Sequence, residues 1–337
     1  MSCELSPNAK AILLLTAPLL AGSGRRSADL LSFGEYRRLA RRLRDLGAQP
    51  ADLLGAEAAR LLADCAPAAD PGRLERLLSR GLLLAEALEH WQARAIWVVS
   101  RADAAYPQRL KKRLRGQAPP VIYGCGDRAL LDGGGLAVVG SRHVDEELLG
   151  YSRDVGRLAA AAGRPIVSGG AKGVDRAAME GALDAGGRAL GVLANRLERA
   201  ALDRGYREAL VARRLALVSP FDPKAGFNVG HAMQRNKLIY AFAEAALVVQ
   251  AEVEKGGTWA GATEELDRES AVPVFVRADG SGSAGLDALR ARGARPWPEP
   301  RDVGELDALL RDAPPSVDAT PAVARQAALF QTRGPKR

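Results

Sequence analysis

Cysteine is scarce in this chain: Cys3, Cys65 and Cys125 are the only three in 337 residues. An odd, widely spaced set far from any histidine pair builds neither a disulfide framework nor a zinc site, so no metal is expected. Histidines are equally few, and His90, His143 and His231 stand apart from one another and from any Asp and Ser in triad order. No run reaches the roughly 18 apolar residues of a membrane span. The nearest, 11–20, is broken by Thr16 and Pro18, lacks the basic flank of a secretory signal, and reads as a packed helix. A cytoplasmic protein without membrane contact is therefore expected. The glycine spacings of the triphosphate P-loop and of the dinucleotide fingerprint are both missing, which argues against ATP hydrolysis and NAD binding and leaves no cofactor in view.

What is present is a globular composition. Hydrophobic residues make up 47% and aromatics only 5%, enough for one large or two smaller domains. Lys and Arg number 48 against 40 Asp and Glu, a formal charge of +8. An arginine-rich excess favours a polyanionic partner. A GC-rich genome would leave the same arginine, alanine and glycine excess, so charge alone leaves nucleic-acid binding open.

Four regions are expected: a helical N-terminal domain over 1–94, an α/β domain over 95–277, an extension over 278–312 and a mobile or partner-docking tail over 313–337. In the first, Ser32 and Glu35 form a capping box ahead of Leu39, Leu43 and Leu46, and Gly47 closes the helix over 33–46. Further helices are expected over 51–64, 71–80 and 82–93, the first domain exposing Arg37, Arg38, Arg41, Arg42 and Arg44. From residue 95, strand-like runs at 96–99, 121–123, 136–139, 165–167, 189–193, 216–218, 246–250 and 272–276 alternate with helical patterns over 147–162, 174–185, 200–213 and 260–268. The alternation predicts an α/β, mostly parallel, doubly wound sheet preceded by a small all-helical domain. A Gly/Ser-rich loop is expected over 279–285 and a helix over 303–310.

Three short motifs each lie between an apolar run and a helical pattern: Gly140-Ser141-Arg142, Ser168-Gly169-Gly170-Ala171-Lys172-Gly173 and Gly256-Gly257-Thr258. In a doubly wound sheet such turns gather at the carboxyl ends of strands, where small residues let N–H groups and helix N-termini approach anionic oxygens. Arg142 can fork onto a phosphate, Lys172 adds an ammonium, and Asp175 caps or orients the second loop. Arg235, Asn236 and Lys237 add donors, against the alternative of ordinary helix-surface polarity. Phe227 beside Asn228 either stacks on a base or anchors its loop in the core. Trp259 is expected to pack, with stacking on a base as the alternative, and His143, beside Arg142, to be a surface-loop residue, with a phosphate contact as the alternative.

The order of a Gly-Ser-Arg turn, an S-G-x-A-x-G-x-D loop, the Arg235-Asn236 pair and a glycine turn resembles the DprA/Smf DNA-processing family, within the Rossmann-like group that includes the LOG phosphoribohydrolases. The likeness spans about 95–277 and takes in Ala105 to Leu110 and Pro120 to Gly124. It implies a Rossmann-like fold and non-enzymatic binding of single-stranded DNA phosphates by Gly140, Ser141, Arg142, Ser168, Gly169, Gly170, Lys172, Asp175, Arg235 and Asn236. It also implies homodimers that help load RecA. Three departures set this chain apart: Met179 stands where the family usually has His, the third turn reads Gly-Gly-Thr-Trp, and no winged-helix pattern follows residue 277. Divergent forms resemble accessory proteins of antiphage systems that restrain a toxin or effector.

Two other functions compete. One is a nucleotide-binding sensor or LOG-like phosphoribohydrolase using Glu264 or Glu265, whose distance from Gly256-Gly257 is too long for that motif; the alternative for both is an exposed pair of helix carboxylates. The other is a partner-binding regulatory module. The basic run Arg109, Lys111, Lys112, Arg113 and Arg115 weighs toward nucleic acid.

Overall fold

The computed structural model describes residues 5–19, 29–268, 272–278 and 283–312. Helices α1 (Pro7–Thr16), α2 (Phe33–Asp45), α3 (Ala58–Asp64), α4 (Pro71–Leu78) and α5 (Gly81–Gln92) come before any strand. Then follow β1 (Trp97–Ser100), α6 (Gln108–Leu114), β2 (Val121–Gly126), β3 (Leu136–Val139), α7 (Glu146–Ala161), β4 (Ile166–Ser168), α8 (Val174–Asp184) and β5 (Ala189–Val192). The chain continues through α9 (Leu197–Ala201), α10 (Arg204–Val211), β6 (Leu215–Ser219), α11 (Val229–Phe242), β7 (Ala245–Val248) and α12 (Gly256–Leu266). It closes with β8 (Val274–Val276), α13 (Ala284–Ala291), β9 (Arg295–Pro296) and α14 (Val303–Asp312). The fold is mixed α/β with strands paired mostly in parallel, and the contacts divide it into two compact units, 1–133 with 188–242 and 134–187 with 243–337.

In the first unit the strands run β1-β2-β6-β5, the first two pairings antiparallel and the last parallel. The α1 helix starts on a Ser6 cap with Pro7 in its first turn and buries Ile12, Leu13, Leu14 and Leu15. A helix this apolar is stable only inside a core, and α4, α5, β1 and β2 all pack against it. The Ser32–Glu35 capping box forms as the sequence predicts. Its Glu35 also meets Arg73 of α4 at 2.6 Å, and the Arg73 guanidinium further donates to the carbonyls of Asp29 and Leu30.

The Arg73 hydrogen bond, aided by the Ser32 backbone N–H, holds the Glu35 carboxyl down at about 2 from an ordinary 4.5. A depressed carboxyl stabilises the fold above its unfolded pKa, and that contribution fades as pH falls from 4.5 toward 2. Glu35→Gln is expected to cost about 1 kcal/mol at neutral pH. Urea midpoints measured from pH 7 to pH 2 should show the variant losing less stability than the wild type across that acid window.

In the second unit the order is β4-β3-β7-β8-β9, parallel throughout. The chain leaves β3 through α7 to β4 on one side, and returns to β7 on the other before crossing through α12 to β8. Right-handed crossovers in opposite directions put α7 and α12 on opposite faces, which is double winding, and make the carboxyl end of β3 the point where strand order reverses. α8 packs along α7, and α14 closes on α7.

Several boundaries differ from those predicted. The helix expected over 51–64 is a 3-10 turn, Pro50–Leu54, capped by Gly55, and then α3. That over 200–213 is split, because Asp203 caps a new helix through Gly205 N at 2.9 Å and so starts α10 afresh after α9. The loop expected over 279–285 yields to α13 at Ala284, while 279–282 and the tail 313–337 lie outside the described residues. Cys65 and Cys125 are buried free thiols, and burial pushes Cys125 up to about 12; Cys3 is outside the described residues. Among the described residues no helix is long and apolar enough to cross a membrane, and no cluster of three or more His, Cys, Asp or Glu could hold a metal.

Candidate functional site

The three predicted turns all belong to the second unit, at the carboxyl ends of the adjacent strands β4, β3 and β7. Each is tied to Gly140. Its N–H donates to Asp175 Oδ1 at 3.3 Å, and its carbonyl accepts from Thr258 Oγ1 at 2.9 Å. No side chain fits at position 140, since a Cβ would sit 2.6 Å from Cγ2 of Val174. Asp175, predicted to orient its own loop, is buried and reaches across to the first turn. Thr258, in the first turn of α12, fastens the third turn to the first.

The second loop is shaped by Gly173. Its φ of +93° is a left-handed value that side chains rarely tolerate, and a Cβ there would fall 2.5 Å from Ser141 O and 2.9 Å from Arg142 Cα. The α8 helix begins at Val174, whose N–H lies 3.4 Å from Ser141 O. Ser168 is fully buried, its hydroxyl donating to Val138 O at 2.6 Å, and so joins β4 to β3. Ser141 Oγ accepts from His143 N and donates to His143 O, a local turn that holds the segment after Arg142. Gly169 is buried, Gly170 is half-buried, and Gly256 and Gly257 are exposed at the start of α12.

Two cations stand out to solvent on this frame, Arg142 and Lys172. Beside them a cavity of about 460 Å³ opens against the first halves of α7 and α8, lined also by His143, Asp145, Arg153, Arg176 and Glu180. His143 is exposed, as predicted for a surface loop. Sequence reading missed Arg153 and Arg176. Arg176 is in the first turn of α8, four residues after Lys172 of the loop, and its place at the start of the helix that follows the glycine loop could have found it; Arg153 reaches the cavity only because α7 lies along α8.

Phe227, Asn228, Arg235, Asn236 and Lys237 belong to the first unit. Phe227 is 57% exposed, so the reading in which it anchors its loop in the core is overturned. Asn228 Oδ1 accepts from His231 N at the start of α11. Arg235 and Asn236 are buried, which overturns helix-surface polarity for them, and Arg235 Nη1 donates to Val192 O at the end of β5. Lys237 is half-buried. In the basic run, Arg109 bonds Asp132, Arg113 the Tyr240 carbonyl and Lys111 the Asp103 carbonyl, so three of its five cations brace α6, and Lys112 and Arg115 remain exposed.

The exposed carboxylate pair expected on α12 is half wrong. Glu264 is exposed, but Glu265 is 2% exposed; it accepts from Val272 N at 2.9 Å and meets Arg268 at 3.2 Å, bracing the connection into β8. The other two histidines are structural as well: His90 lies 3.0 Å from Glu198, and His231 stacks on Phe221 with centroids 3.8 Å apart.

A doubly wound, mostly parallel α/β unit with small-residue turns interlocked at the carboxyl ends of three adjacent strands is a Rossmann-like protein. Within that class, the chain belongs to the family described as DNA recombination-mediator protein A, whose sequence model matches residues 97–306. It is 30% identical over 254 residues to a putative DNA processing protein DprA of Mycobacterium tuberculosis strain H37Rv, across 72% of this chain and 62% of that one. The chain thus spans less than two thirds of the length of the curated relatives it matches. Its fold is similar to DNA processing protein A from Streptococcus pneumoniae, with TM-score 0.67 and 18% identity over 90% of this chain and 98% of that one. DNA processing protein A from Helicobacter pylori, described for its single-stranded DNA binding mode, gives TM-score 0.52 and 23% identity over 64% and 96%.

Proposed function

We propose that this protein is a single-stranded DNA-binding, DNA-processing protein that holds strand phosphates on the three interlocked turns and does not cut them. The observation that carries this is the frame around Gly140: backbone groups fixed by Asp175, Thr258 and Gly173, with Arg142 and Lys172 standing out to solvent beside them. Preorganised small turns with projecting cations suit a flexible polyanion, which then bears most of the ordering cost itself. Phe227, exposed next to Asn228, supports a stacking role for one base. Glu265 is committed to the α12–β8 connection, which weighs against its use in nucleotide hydrolysis. In the cell the protein would act as a homodimer, loading RecA in recombination or DNA uptake, or sensing DNA beside a co-encoded toxin or effector.

The test is a salt series with matched single- and double-stranded oligonucleotides. The single strand should bind more tightly, and log affinity should fall against log salt with a slope of about 0.7 per contacted phosphate. Equal binding of both forms, or affinity indifferent to salt, would overturn the proposal.

A further inference from the structure

The cavity beside the first two turns is roomier than one backbone phosphate requires, and its charge differs from what such a phosphate would balance. Its roughly 460 Å³ is within the size range of open clefts that take a small ligand. Arg142, Lys172, Arg153 of α7 and Arg176 of α8 line it against Asp145 and Glu180, leaving a formal excess of two positive charges. Val144, Leu149 and Ala177 supply an aliphatic wall. A phosphodiester carries a single negative charge, whereas a phosphomonoester carries about −1.5 to −2 near pH 7. Arg176 is held by Glu180 at 2.7 Å, while Arg153 lies 3.9 Å from Glu146, an exposed residue of its own helix that is outside the cavity lining.

We infer that this cavity receives a nucleotide phosphomonoester, its phosphate among the guanidinium groups of Arg142, Arg153 and Arg176 and its sugar or base against the aliphatic wall. Guanidinium forks match phosphate oxygens two at a time, which a lone ammonium cannot do. The inference rests on the strand-binding proposal in one respect: Arg142 and Lys172 serve both sites. Arg153 and Arg176 belong to the cavity. Two sources present the same chemistry, the phosphorylated end of a strand and a free mononucleotide.

Equilibrium binding by the full chain would be measured for matched single strands ending in 5′-phosphate, 3′-phosphate or hydroxyls only, and for a deoxynucleoside monophosphate. The same ligands would be tested on the Arg153→Gln, Arg176→Gln double variant, its fold checked by the urea midpoint. One phosphorylated end should bind wild type about tenfold more tightly than the hydroxyl-ended strand, and the variant should lose that preference while holding the hydroxyl-ended strand as before. If the double variant does not fold, Arg153→Lys and Arg176→Lys, which keep charge and lose the fork, should each reduce the preference. Strands bound alike whatever their ends, with no monophosphate bound, would overturn the cavity inference and leave strand binding standing. Monophosphate bound by wild type but not by the variant, with no strand bound, would support the cavity and overturn strand binding. An equal loss of hydroxyl-ended strand in the variant would make both arginines backbone contacts and overturn the inference.

Discussion

Replacing Arg142 and Lys172 together with alanine is expected to weaken single-strand binding by about 100-fold or more in moderate salt. Each hydrogen bond to a charged group contributes about 1.5–3 kcal/mol, and about 1.4 kcal/mol is a factor of ten. Both side chains are exposed on turns whose backbone is fixed by Gly140, Asp175 and Thr258, and an unchanged urea midpoint of the double variant is the check that the frame is kept. The slope of log affinity against log salt should fall by about 1.4, two phosphates at about 0.7 each. Fluorescence anisotropy with a hydroxyl-ended oligonucleotide measures both quantities. Arg37→Ala with Arg38→Ala, exposed on α2 in the first unit, removes the same charge and serves as the control. An equal loss in that control would reduce the effect to net charge and remove the site from the explanation.

The other large effect is on stability. Gly173→Ala should destabilise the protein by about 3 kcal/mol, from roughly 1–2 kcal/mol for a left-handed φ and about 1–3 kcal/mol for overpacking. The new methyl would meet backbone atoms of Ser141 and Arg142, which cannot rotate away as a flexible side chain would. The first turn must therefore shift, and strand affinity should drop along with the urea midpoint. An unchanged midpoint would mean that the second loop does not press on the first.

How much of this was legible depends on how local each cause is. The Ser32–Glu35 capping box joins positions three apart and is legible outright, as are β3, whose apolar run lies between Gly135 and Gly140, and β4, which runs from Pro165 to Ser168-Gly169; β7 is legible from its apolar run alone. The split into α9 and α10 was carried by Asp203, but an unbroken helical pattern around it hid the stop. Asp175 is 35 positions from Gly140, so its part in the first turn depends on the pairing of β4 with β3, which no local pattern announces. The burial of Glu265 was equally hidden, since its acceptor role is fixed by Val272 beyond the end of its own helix. Arg235 read as a surface donor because its neighbours are polar, and only the β5 carbonyl it reaches explains its depth. The continuation of the sheet past residue 277, through α13 to β9, has no clear signal in the sequence because β9 is two residues long.

The strand order β4-β3-β7 also governs when this site can exist during synthesis. Its first turn is made early, but the hydroxyl that fastens it lies 118 residues later, after the chain has left the second unit to build β5, β6 and α11 and come back. Loop closure over such a span is slow and is repaid only once β7 adds to β3. A nascent or truncated chain that stops before residue 258 carries Arg142 and Lys172 without the Thr258 tie that joins the third turn to the first. Gain of strand affinity during refolding should therefore trail the burial of the β3–β4 pair, making ligand binding a late reporter of completed folding.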